Sequence, residues 1–133
     1  MNKKLNRELM GYAEDILQSD DCPLYKDKKE KIIHESYDGQ ASALGVSTLM
    51  IGLRATLAVY FQDKPKETKK AYRRNLLEVI VRMMNKKNGT TYADSEVFVR
   101  EVMKKENDET IWKSDVINCS VALKQVIRTY KLG

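Results

Sequence analysis

Between Lys64 and Lys87 the chain carries nine bases, Lys64, Lys66, Lys69, Lys70, Arg73, Arg74, Arg82, Lys86 and Lys87, against two acids, Glu67 and Glu78. This stretch holds +7 in a chain whose formal net charge is +5, so the remaining residues are slightly acidic. Ammonium groups and guanidinium forks at such density suit phosphate, which the arginine fork matches in shape as well as in charge. The spacing predicts a helix from about 65 to 87, with Pro65 in its first turn and Asn88–Gly89 as a left-handed cap. On that helix Lys66, Lys69, Lys70, Arg73 and Arg74 share an arc of about 140°, and the same face continues as Leu77, Val81 and Met84. Cations in a first turn oppose the helix dipole by a few tenths of a kcal/mol each and repel one another at i,i+4. Stability alone does not select this arrangement, whereas anion binding does.

A second basic row lies on the last predicted helix. There Lys113, Lys124, Arg128 and Lys131 fall within about 60° of one another, beside the apolar seam Trp112, Val116, Cys119, Leu123, Val126 and Tyr130. This row is expected to border the same groove as the first. Arg54 differs from both sets, being the single charge between Ala41 and Phe61. An unpaired buried guanidinium is costly, so Arg54 must meet solvent, an acid or a ligand; a structural ion pair and an RNA contact both satisfy it.

Little else invites chemistry. The sole histidine, His34, sits in a charged stretch with no cysteine, paired acid or second histidine at ligand spacing, and is expected to be a solvated surface side chain. Cys22 and Cys119 fit neither a metal spacing nor a disulfide framework and are expected to be reduced thiols. Asp20, Asp21, Asp108 and Glu109 fall at predicted helix ends, where they cap. No catalytic residue, metal or cofactor is expected.

The elements that must position the cations are helical. Leu5, Leu9, Tyr12 and Ile16 mark a first helix that stops before Pro23. Lys26 to Glu35 reads as a short surface helix or a helical lead into the next element. Residues 37–62 form a central apolar helix: Ala41, Gly45, Thr48, Gly52, Ala55, Thr56 and Val59 make a small face that permits close crossing. The bulky face of Val46, Leu49, Met50, Leu53, Leu57, Tyr60 and Phe61 is expected to fill the core. Asp94 or Ser95 caps a shorter helix carrying Phe98, Val99, Val102 and Met103. No strand pattern competes, so the expected fold is all-α, one domain over residues 1–133, a bundle of five to six helices around the central one. Arg54 and the surrounding charge argue against membrane insertion, and the absence of an apolar leader at the N-terminus predicts a cytoplasmic chain.

The segments Tyr37-Asp-Gly-Gln-Ala-Ser-Ala-Leu-Gly45, Gly52-Leu-Arg-Ala-Thr-Leu-Ala-Val-Tyr60, Tyr72-Arg-Arg-Asn-Leu-Leu77 and Ala122-Leu-Lys-Gln-Val-Ile-Arg128 together resemble the small helical subunit of the Cmr-type (type III-B) CRISPR effector complex. The resemblance implies a non-catalytic scaffold that stacks on copies of itself and beside backbone and large subunits, holding guide and target RNA in antiviral defence. It transfers RNA contact first to Lys124 and Arg128 and then to Arg73 and Arg74, while Arg54, Lys66, Lys69 and Lys70 enter from charge clustering. Phosphate contact of this kind is independent of sequence and steeply salt-dependent. Two other readings remain open: a helical protein-interaction module with an acidic partner, and a DNA-binding regulator without an RNA-guided role.

Overall fold

The computed structural model describes residues 1–62, 64–66 and 70–133. Six helices and three short strands follow one another in these residues: α1 (Lys3–Leu17), β1 (Tyr25–Asp27), β2 (Ile32–Ile33), α2 (Ser36–Ile51), α3 (Leu53–Tyr60), α4 (Arg73–Asn88), α5 (Ser95–Met103), α6 (Thr110–Ile127) and β3 (Lys131–Leu132). The all-α expectation holds, with a minor sheet added. Local signals explain most helix ends: the Asn2 side chain accepts from the Leu5 N–H at 2.7 Å, and Asp94 accepts from the Val97 N–H at 2.9 Å. Gly89 closes α4 in the left-handed region at φ 67°.

The apolar faces of α1, α2, α4 and α6 meet in one core, in which α2 lies along α6 and α1 covers α6 and α4. The predicted seam of α6 is buried at Val116, Cys119, Leu123 and Val126. Burial pushes the Cys119 thiol up to about 12 and also raises that of Cys22, which removes the thiolate that reactivity requires.

Residues 37–62 are not one helix. Gly52, at φ 91° and ψ 164°, interrupts them and turns the chain between α2 and α3. The interruption changes which face is buried. Along α2 the buried set is Tyr37, Ala41, Leu44 and Thr48; beyond the break it becomes Leu53, Thr56, Leu57 and Tyr60. A continuous helix would have carried the first phase on to Ala55 and Val59, which instead are exposed. The bulky face therefore fills the core only in α3, because in α2 the small face crosses α6. A Cβ added at Gly45 would lie 2.8 Å from Ser120 Oγ, so α6 runs close there and Val46, Leu49 and Met50 are turned outward.

The segment expected as a short helix folds differently. β1 and β2 form an antiparallel pair, β3 joins β2 in parallel, and Lys31 takes φ 53° in the turn. Only Ile32 and Ile33 follow the lysine-rich turn as apolar residues, too few for a helix face, whereas a strand needs only alternate burial, which Ile33 supplies. His34 follows β2 and is buried, with its ring edge-on to Tyr37 at 5.8 Å, contrary to the expected solvated position.

The helix predicted from Pro65 begins at Arg73. Lys64, Pro65 and Lys66 lie outside any helix, Lys70 sits in a bend, and Tyr72 is extended at φ −82° and ψ 133°. The first turn of α4 contains no acid, and its first cations are already two arginines. Continuing the helix backward would have stacked three more lysines on the positive end of its dipole.

Candidate nucleic-acid interface

Three elements build the most cationic surface. Tyr60 ends α3 with its hydroxyl donating to the Gln40 carbonyl at 2.6 Å, and Gln40 Nε2 donates to the Ala71 carbonyl at 3.0 Å. Burial pushes the Tyr60 phenol up to about 12, so it remains a neutral donor. Asn75 reaches back to the Tyr37 hydroxyl at 3.2 Å. These bonds fix the start of α4 against α2 and α3, and between them opens a cavity of about 460 Å³. Its cationic wall is Lys64, Lys66, Lys70, Arg73 and Arg74, and its aromatic floor includes Tyr60 and Tyr72.

The arginines are held by rings. The Arg74 guanidinium lies 3.5 Å from the Phe61 ring centroid, a stacked geometry, and Arg73 stands 6.0 Å from that of Tyr60. Stacking fixes the plane of a guanidinium while leaving its donors free to point outward. Arg74 Nε is buried with no hydrogen-bond partner among the described residues. Among those residues, none of the five cations lies within ion-pair distance of an acid. Tyr72 contributes no side-chain cap, and among the described residues no side chain caps the amide end of α4, where the Asn75 N–H donates to the Tyr72 carbonyl at 3.0 Å.

Four of the site residues expected from the sequence, Lys66, Lys70, Arg73 and Arg74, thus share one wall, although only the arginines do so as part of a helix. Lys69 lies outside the described residues. Lys64 and the aromatic floor were missed as site residues, although Lys64 stands in the same basic run and Tyr60 and Phe61 close the apolar one.

Lys124 and Arg128 lie elsewhere. The Lys124 ammonium donates to the Ser42 hydroxyl, and Arg128 Nε pairs with Asp38 Oδ1 at 3.0 Å. Asp38 and Ser42 sit roughly opposite Gln40 around α2, whose other flank carries the cavity. The two basic sets therefore occupy opposite sides of α2 and do not border one groove. Arg128 is moreover neutralised by its carboxylate.

Arg54 is committed to the fold. Its Nε donates to the Val102 carbonyl at 2.9 Å, and its Nη2 to those of Lys104 at 2.8 Å and Asn107 at 2.6 Å. Glu109 lies 3.9 Å from Nε and accepts from the Arg54 backbone N–H at 3.3 Å. The lone charge of the apolar run closes the end of α5 and the loop into α6, with Nε and Nη2 both taken up by backbone carbonyls.

A second surface is apolar. Val46, Leu49, Met50 and Ile51 are between 59% and 76% exposed on α2, and beside them Val121 and Ile117 of α6 help line a groove of about 470 Å³. Exposed apolar side chains in so contiguous a group are unusual on an isolated chain of this charge.

Among the described residues no three His, Cys, Asp or Glu side chains converge as metal ligands, and no helix is long and apolar enough to cross a membrane. Comparison of the chain with protein-family models, curated proteins and solved structures found no match.

Proposed function

We propose that the chain is a non-catalytic, RNA-binding scaffold subunit of a cytoplasmic ribonucleoprotein of the type III-B CRISPR kind, as its resemblance to that family's small subunit implies. The observation that carries this reading is the wall of five cations around one cavity, without acidic partners among the described residues. Lys66, Lys70, Arg73 and Arg74 are the RNA contacts on this reading; Arg54 is structural, and Lys124 and Arg128 contribute at most from a separate flank. Specificity in such an assembly comes from guide pairing, so contacts to phosphate suffice. Single-stranded RNAs of unrelated sequence should bind the isolated chain weakly and equally. The logarithm of affinity should fall against that of salt with a slope of about −2.8, the value for four phosphate contacts on a single strand. Equilibrium fluorescence anisotropy from 50 to 300 mM salt checks this. Absence of binding would favour the protein-interaction reading, and preference for duplex DNA the regulator.

The apolar face of α2 and α6 is where the same reading places a second copy of the chain. Leu49→Glu and Met50→Glu should each abolish concentration-dependent self-association in analytical ultracentrifugation while leaving the melting temperature unchanged, because both side chains are exposed. A wild-type chain that stays monomeric up to several hundred micromolar would remove self-stacking from the proposal.

A further inference from the structure

The cationic cavity has the shape of a receptacle rather than a track. Its five bases surround one concavity beside the start of α4, and α2 separates it from the second basic row. A strand running across the molecule would need cations spaced along a path, whereas these converge. Among the described residues the amide end of α4 has no side-chain cap, and its first turn holds no acid, although this 16-residue helix carries a full macrodipole. Arg74 is held on the Phe61 ring, and its buried Nε has no hydrogen-bond acceptor among the described residues. An anion in the cavity gives the exposed edge of this guanidinium its acceptors.

We infer that this cavity binds a terminal phosphate, the phosphomonoester of a strand end or of a free mononucleotide, in preference to the phosphodiester of a continuous backbone. The inference rests on the RNA-binding reading for its strand-end source but not for the pocket itself. A monoester carries nearly two charges at neutral pH and offers three oxygens, which match the Arg73 fork, the Arg74 edge and the α4 amides ahead of Asn75, whose own N–H already donates to the Tyr72 carbonyl. A diester has one charge and two free oxygens, so it leaves part of this donor set unused. The cavity volume exceeds that of a phosphate group, leaving room for the sugar to which it is attached.

The test compares one short single-stranded RNA in three forms, with a 5′-phosphate, with a 3′-phosphate and with hydroxyls at both ends, alongside adenosine 5′-monophosphate and adenosine. At least one phosphorylated form should bind roughly fivefold more tightly than the hydroxyl form, the effect of about one added charge at a helix N-terminus. Adenosine monophosphate, and not adenosine, should compete with it. Arg74→Lys, which keeps the charge but loses the planar fork, should erase the difference among the three RNAs. Equal affinity for all three RNAs overturns the pocket and leaves the RNA reading standing. Binding of the mononucleotide without binding of any RNA overturns the RNA reading and leaves the pocket. Lys113 is not part of the cavity lining, so Lys113→Arg serves as a charge-conserving control that should change nothing.

Discussion

Gly52→Ala should lower the melting temperature by roughly 10 °C. The residue sits at φ 91° and ψ 164°, a region open in practice to glycine alone, where a side chain costs about 1–3 kcal/mol. A Cβ there would also stand 2.7 Å from Glu109 Oε1. That carboxylate must move, and its other oxygen then loses the Arg54 backbone N–H, the only side-chain capping contact that the described residues supply at the start of α3. Together these effects amount to about 3 kcal/mol, which in a chain of 133 residues gives the stated shift. Gly11 in α1 and Gly39 in α2 have nothing within 4 Å of an added Cβ. Gly11→Ala and Gly39→Ala should therefore be neutral or raise the melting temperature slightly, since alanine loses less entropy in a helix. Thermal melts followed by circular dichroism check all three, and equal melting temperatures for Gly52→Ala and Gly11→Ala would show that the break is not needed.

Changing Arg73 and Arg74 together to Ala should weaken single-stranded RNA binding by about 25-fold at 0.1 M salt, the factor obtained when two phosphate contacts are lost from a single strand. The salt slope should become shallower by about 1.4. Loss of affinity with an unchanged slope would mean that the arginines act through the fold and not through phosphate. Arg73 is exposed and its removal leaves the core intact, so Arg73→Ala alone should produce about half of the slope change with a wild-type melt. Arg74 stacks on Phe61, and part of its contribution to stability comes from that contact. The melt of the double variant separates this part from binding. The parallel pair Lys124→Ala and Arg128→Ala should have a much smaller effect, because Ser42 and Asp38 already occupy those groups.

Elements whose boundaries are written in neighbouring residues were legible in the sequence. The seam of α6, the Asp94 cap of α5 and the Gly89 stop of α4 are signals within one or two turns. The break at Gly52 was not, because its glycine falls in phase with the small face of α2 and reads as a crossing point. What decides the break is the partner carboxylate of Glu109, 57 residues further along the chain. The strands were hidden for a similar reason: two-residue strands have no period, and β2 is completed by residues near the other end of the sequence. Within the candidate site, the sequence located the cations but not their support. The run from Lys64 to Arg74 is visible as charge, yet its convergence on a cavity depends on Gln40 and Tyr60 holding Ala71 and α2 together. That Arg54 required a partner followed from its surroundings; that the partners would be three backbone carbonyls did not. Whether the two basic rows shared a groove turned on which flank of α2 each occupies, a property of packing and not of periodicity.

The pairing of β3 with β2 sets when the protein can finish folding during its synthesis. Ile32 and Ile33 take Lys131 and Leu132 as neighbours, the Gly133 N–H donates to the Ile33 carbonyl at 3.0 Å, and the Glu35 N–H donates to the Gly133 carbonyl at 3.1 Å. Helix α1 likewise rests on α6. While a ribosome is still making the chain, Leu9, Ala13, Ile16 and Leu17 have been translated but lack the surface that buries them. Contacts across such separations close slowly, and uncovered apolar surface is what chaperones bind. The nascent chain therefore stays incompletely folded until α6 and β3 have cleared the exit tunnel.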